Sequence, residues 1–238
     1  MKRLIALLLC CLMLPALAAP TAPEALSAYY DEAVFVGDSI LRGLHSLQVQ
    51  SRKQGQPILG QARFLAANGY TLYQGSRLRP GSGEQDINLT LDGRAVSLHD
   101  GLKRMEAKAA YIMLGLNDSA GSRLDKQIGF YEKLIAQVLE ARPGIQLTIL
   151  SVSPLRPAAE NKRRNQQNLD SFNQALSELC QRLNIGYLDV ASALKDESGY
   201  LRLDYSSDRM VHLNELGYQA LLQALYDHAA RQLEGAAP

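Results

Sequence analysis

The chain has 238 residues, 47% of them apolar and 21% charged, and a formal net charge of +1. That balance is the composition of an ordinary globular protein. It supplies no electrostatic argument for a nucleic acid or an anionic membrane surface as partner, and the sequence shows no internal repeat, low-complexity tract or second hydrophobic span.

At the N-terminus, Lys2 and Arg3 precede an apolar run over 4–14, and Ala16-Leu17-Ala18 matches a small-x-small cleavage pattern. The run is short for a permanent membrane span. Residues 1–18 are therefore read as a signal peptide, with a signal-anchor as the alternative, and 19–238 as one domain of ample size for an α/β core. No integral membrane span is expected after cleavage. Cys10 and Cys11 would leave with the leader, and the remaining Cys180 cannot form an internal disulfide. Stability must then come from packing, with Cys180 acting as a small buried apolar residue. Export without disulfides implies a periplasmic or secreted protein.

After a lead-in over 19–31, Ala33-Val34-Phe35-Val36 is a short apolar run of strand formers, the pattern of a buried parallel strand. Gly37 permits a tight turn, and Ile40-Leu41-Arg42-Gly43-Leu44 opens a helix. Ser39 thus sits at the carboxyl end of a strand, where open α/β sheets place ligands. It also sits at a helix N-terminus, where free N–H groups favour negative charge. A nucleophile that generates an oxyanion needs such a place. The competing explanation is that Asp38 or Ser39 only caps the helix.

A second strand is expected over 63–67, ending at Asn68-Gly69. A loop follows over 74–86, where Gly81-Ser82-Gly83 is too short a glycine pattern for a phosphate cradle. Two short strands at 87–91 and 94–98 flank Asp92-Gly93, a pair suited to a type I′ turn, and are read as a hairpin insertion. A third buried strand at 110–114 leads to Gly115-Leu116-Asn117-Asp118. The helix over 122–141 carries Leu124, Ile128, Tyr131, Leu134, Ile135 and Val138 at helical spacing, with Ser122 as its cap. A fourth strand at 146–150, a helix at 165–183, a fifth strand at 185–188 and a last helix from about 214 complete the chain. Alternating strands and helices imply a mostly parallel sheet covered on both faces.

Gly37-Asp38-Ser39, Asn68-Gly69, Gly115-Leu116-Asn117-Asp118 and the pair Asp208 and His212 together resemble, in order, the four signature blocks of the SGNH (GDSL-type) hydrolases. The resemblance covers nearly all of the chain after residue 30. It implies a three-layer α/β/α, flavodoxin-like fold with a five-stranded sheet, and a serine esterase or acyltransferase chemistry that uses no cofactor. Carried onto these positions, it makes Ser39 the nucleophile, His212 the base and Asp208 the group that orients it. The oxyanion donors it implies are the backbone N–H of Ser39, the backbone N–H of Gly69 and the Asn117 side chain.

The residue types suit those roles. Acyl transfer needs a nucleophile, a proton acceptor, an orienting acceptor and oxyanion donors, and glycine lets backbone approach a substrate closely. His45, His99 and His228 compete with His212, but they fall on helices or beside a turn and are read as surface histidines. Asn117-Asp118 could be a turn and cap alone. Asp38 and Asp118 are read as structural carboxylates that bind nearby N–H groups. The last block departs from the family. Three residues, Arg209-Met210-Val211, separate Asp208 from His212 where the family usually has two, so Asp208 reaches the imidazole only across a one-residue bulge; otherwise a Ser39–His212 dyad remains. Asp204 lies too far back to substitute. No cysteine or histidine pair has metal-ligand spacing, and no metal is expected. The basic run Asn161-Lys162-Arg163-Arg164-Asn165 is a solvated face or a docking patch for an anionic glycan or a partner protein.

The expectation is an exported esterase that removes small acyl groups, O-acetyl above all, from carbohydrate of the envelope or the extracellular space. Three rivals stand beside it: an O-acetyltransferase on a polysaccharide with the same residues, a lipase or lysophospholipase, and a non-catalytic glycan-binding domain.

Overall fold

A computed structural model describes residues 22–118, 123–162 and 164–235. The expected leader, the cap Ser122 and Arg163 lie outside them. In chain order the elements are α1 (Ala22–Ala28), β1 (Ala33–Gly37), α2 (Ser39–Lys53), β2 (Arg63–Ala66), α3 (Leu72–Gly75), β3 (Leu89–Leu91) and β4 (Arg94–Val96). Then come α4 (Leu98–Arg104), β5 (Ala109–Met113), α5 (Leu124–Ala141), β6 (Gln146–Leu150), α6 (Gln166–Leu183), β7 (Gly186–Leu188) and α7 (Glu215–Gly235). Among the described residues no helix is long and apolar enough to cross a membrane.

Five strands form a parallel sheet in the order β2-β1-β5-β6-β7. Counting only those strands, this is the 2-1-3-4-5 order of a flavodoxin-like fold, whose switch point falls between β1 and β5. Helices α3 to α6 pack against one another, while α7 packs against α1 and bonds to α2 through the Tyr218 hydroxyl, which donates to the Ile40 carbonyl. The sheet lies between these two groups, which makes the three layers the sequence implied.

Every residue of β1 is buried, as expected for the run without polar residues. The register is held by an aromatic row. Phe35 faces Phe64 of β2 and Tyr111 of β5 in the ladder and stacks on both, at centroid separations of 5.3 and 5.0 Å. Such same-face partners pin neighbouring strands against slippage. They therefore fix the height at which the carboxyl ends of β1, β2 and β5 come together.

The β3–β4 hairpin forms where expected, and Asp92 and Gly93 both take positive φ, 52° and 73°, as a type I′ turn requires. Cys180 is buried and its thiol pKa is pushed up to about 11 by burial. Three short helices depart from the expectation. Helix α1 occupies part of the lead-in, α3 opens the stretch read as a loop, and α4 begins where a strand was expected to end. Each is short, and none presents enough turns for an apolar stripe to register in the sequence.

Candidate active site

The site is assembled at the carboxyl edge of β1, β2 and β5. Asp38 is the N-cap of α2 and its carboxylate accepts the Ile40 N–H at 2.9 Å, so Ser39 becomes the first residue of the helix. A Cβ on Gly37 would lie 2.7 Å from the Met113 carbonyl oxygen. Glycine is what lets β1 run this close to β5 and carry Ser39 to the switch point.

The second block follows β2, where Ala67 N–H donates to the Gly37 carbonyl at 3.1 Å. Gly69 has φ +71°, and a Cβ there would sit 2.8 Å from the Ile87 side chain. The positive φ is what calls for glycine here, since the Ile87 methyl could shift, and the resulting turn lines the cleft beside Ser39.

The third block braces the other two. Asn117 Nδ2 donates to Asp38 Oδ2 at 3.3 Å and to the Tyr70 carbonyl at 3.2 Å. Asp118 accepts the N–H groups of Leu72 and Tyr73 at 2.5 and 3.0 Å and so caps α3 from 46 residues away. Asp38 and Asp118 thus sit in the capping roles expected of them. Burial raises the pKa of both, that of Asp38 to about 6 against the opposing pull of the Ile40 N–H and of His212.

The fourth block resolves the spacing problem. Arg209 takes φ +60°, a left-handed conformation that inserts one residue without lengthening the turn. Asp208 Oδ1 then accepts the N–H groups of Met210, Val211 and His212 at 2.8, 3.0 and 3.1 Å. Its Oδ2 meets His212 Nδ1 at 2.6 Å, and His212 Nε2 lies 3.1 Å from Ser39 Oγ. Burial by itself would raise the Asp208 carboxyl, but the Met210 N–H, the imidazole and the other two N–H groups outweigh it and hold the pKa at about 2. Asp208 is therefore an anion throughout the neutral range, able to fix the imidazole with Nε2 facing the serine. A hydroxyl, an imidazole and a carboxylate in this chain can move a proton off the hydroxyl as it attacks a carbonyl.

Asp204 is elsewhere: it forms a two-bond pair with Arg202 at 3.0 and 2.7 Å. The other histidines need a correction, because they are half-buried and not surface groups. His45 stacks on Phe64 at 4.8 Å, His228 packs edge-on against Tyr29 and Tyr111, and the His99 side chain is 12% exposed. Burial lowers the pKa of His45 and His228, with Arg42 and Arg52 adding to the effect at His45 and Arg231 at His228. None of the three lines the cleft.

That cleft has a volume of about 850 Å³ and runs past Ser39, Gly69, Asn117 and His212. Its walls include residues the motifs did not point to: Arg42, Ser46, Arg164 and Tyr218. A legible signal existed for Arg42 and Ser46, which follow Ser39 by three and seven residues and so share its face of α2. For Arg164 only the basic run hinted at a ligand.

The GDSL-like lipase/acylhydrolase family matches this chain over residues 35–220. No curated protein sequence matches it. A GDSL-like lipase from Bacteroides thetaiotaomicron has a similar structure, with a TM-score of 0.59 and 17% identity over 84% of this chain and 88% of the other. A carbohydrate esterase of family 3 from Talaromyces cellulolyticus superposes with a TM-score of 0.57 and 16% identity, covering 86% of this chain and 99% of its own. An acetyl xylan esterase gives a TM-score of 0.57 and 15% identity over 82% and 98% of the two chains. Identities this low speak for a shared fold only. With the family match spanning most of its length, the chain belongs to the GDSL-like lipase/acylhydrolase family and is a carboxylic ester hydrolase.

Proposed function

We propose that the protein is an exported serine esterase that hydrolyses short acyl esters, chiefly O-acetyl groups, on carbohydrate. The observation that carries this reading is the continuous chain Ser39 Oγ, His212, Asp208, with links of 3.1 and 2.6 Å, at the edge of an open cleft. Ser39 Oγ attacks the ester carbonyl while His212 Nε2 takes its proton. The backbone N–H groups of Ser39 and Gly69 stabilise the oxyanion, joined by the Asn117 amide as it turns one N–H away from its long bonds to Asp38 and the Tyr70 carbonyl, and His212 returns the proton to the departing alcohol. Water then repeats the sequence on the acyl-enzyme.

Hydrolysis is favoured over transfer by exposure. The side chains of His212 and Asp208 are 48% and 34% exposed, so water has direct access to the base. Acetyl is favoured over a long chain because Leu116 and Leu213, two of the apolar residues lining the cleft, are almost wholly buried and offer little surface to a long acyl chain. The carbohydrate esterase and acetyl xylan esterase among the structural neighbours agree with this substrate class. Export is supported by the charged, apolar and small-residue order of 1–18.

Acetyl esters are accordingly expected to be cleaved faster than octanoyl esters across a p-nitrophenyl series. A kcat/KM that climbs steadily with chain length would instead identify a lipid hydrolase. In the same assay Asn117→Ala is expected to lower kcat by ~10²–10³ with little change in KM, the effect of losing a donor that acts mainly in the transition state. A raised KM at constant kcat would make Asn117 a substrate-binding group. Its bonds to Asp38 and Tyr70 also predict a lower melting temperature for that variant.

A further inference from the structure

Among the described residues the cleft wall carries two arginines and no acidic side chain. Arg42 is exposed and lies one helical turn beyond Ser39, about 4.5 Å along the axis of α2. Ser46 continues the same face a further turn on, and its hydroxyl donates to the Arg42 carbonyl at 3.2 Å. Arg164 reaches the cleft from the loop before α6, where its Nε and Nη2 donate to the Ala159 carbonyl at 3.3 and 3.2 Å. Among the described residues neither Arg42 nor Arg164 pairs with a carboxylate, whereas Arg77, Arg104, Arg156, Arg182 and Arg202 do. Arg52 and Arg142 also bind only carbonyl oxygens, but they lie outside the cleft. The carboxylates of the site itself are committed: Asp38 is buried in its cap and Asp208 is bound to His212.

Two guanidinium groups beside a nucleophile, in a chain whose net charge is only +1, are a local feature and not a consequence of overall basicity. Guanidinium is the side chain best shaped to take a carboxylate or phosphate through paired N–H donors. We infer that the substrate is an acylated carbohydrate bearing an anionic group, a carboxylate or a phosphate, on or next to the acylated sugar, held by Arg42 and Arg164. The inference rests on the esterase reading above and names its substrate class. Ser46, on the same helix face, and Asn68, which also lines the cleft, offer a hydroxyl and an amide for the sugar's own hydroxyls.

The test uses the full-length protein and three acetyl esters: an acetylated oligogalacturonate, a mono-acetylated glucose 6-phosphate and an acetylated xylo-oligosaccharide as the neutral reference. At low salt, kcat/KM for at least one anionic ester is expected to exceed that for the neutral one by about tenfold or more, through KM, since one hydrogen bond to a charged group is worth that much. Preference for the uronate, the phosphate or both tells which anion is read. The ratio should shrink as ionic strength rises, because an exposed charge pair is screened. Arg42→Gln should bring it close to one, Arg42→Glu should invert it, and Arg42→Lys should keep part of it, a pattern that a merely structural arginine would not produce. Arg164→Gln should lower the ratio as well, with circular dichroism to check the loop it anchors. Normal turnover of p-nitrophenyl acetate with equal kcat/KM for all three esters would overturn the charge inference and leave the esterase intact. A preference for lysophospholipid over every carbohydrate ester would also overturn it. Failure to turn over p-nitrophenyl acetate, with no fluorophosphonate adduct on Ser39, would defeat the esterase reading and this inference with it.

Discussion

Ser39→Ala is expected to lower ester turnover by ~10⁴–10⁶, the scale on which serine hydrolases lose activity when the nucleophile is removed. The size of the effect follows from geometry. Ser39 is the first residue of α2, its hydroxyl lies 3.1 Å from His212 Nε2, and its own N–H is one of the proposed oxyanion donors. Alanine keeps the backbone N–H and the helix start, and Asp38 still caps Ile40. The fold should therefore survive, and circular dichroism should find the same melting transition. What disappears is covalent catalysis alone. Treatment of the native protein with a fluorophosphonate, followed by peptide mass spectrometry, should place the adduct on Ser39. An adduct at any other serine would overturn the assignment, as would an alanine variant that retains more than a few per cent of the activity.

Asp208→Asn is expected to cut kcat by ~10⁴ at neutral pH. One carboxylate oxygen holds the bulged turn through three N–H groups, and the other holds His212 Nδ1. The amide oxygen can go on serving the turn, so the loop should persist. The amide nitrogen, however, is a donor placed against Nδ1. It would force the tautomer with hydrogen on Nε2, the nitrogen that must accept the proton of Ser39. Asp204→Asn supplies the contrast. Asp204 pairs with Arg202 and has no bond to the imidazole, so its replacement should change kcat less than twofold, within the range of an exposed pair. A loss below about tenfold at Asp208 would mean that Ser39 and His212 work as a dyad. A deep loss at Asp204 would mean that another conformation of this loop is the working one.

The elements legible in the sequence were those with enough length to show their period. The uninterrupted apolar run of β1, the helical spacing of α5 and the Asp92-Gly93 turn each have a local cause, and each formed within a residue or two of its expected place. The strand and helix alternation was sufficient for a parallel, helix-covered sheet, because right-handed crossovers leave few other arrangements. The four short blocks were legible as candidates because each stood at a strand end or just before the last helix.

Tertiary structure decided the rest. Whether Asp208 meets His212 depends on Arg209 adopting φ +60°, a choice that three backbone N–H groups converging on one carboxylate stabilise and that no spacing rule contains. Helix α3 has a local capping box, Thr71 with Gln74, but four residues cannot sustain a helix by themselves, and Asp118, distant in sequence, takes up the N–H groups of Leu72 and Tyr73 that the box leaves over. His45 and His228 looked exposed because their helices are amphipathic, yet aromatic neighbours from other elements half-cover them. The placement of Arg164 beside Arg42 in one cleft brings together residues 122 positions apart. Local sequence specifies backbone preference over a few residues; which side chains share a cleft is set by the order in which the strands lie in the sheet, and only the folded chain expresses that order.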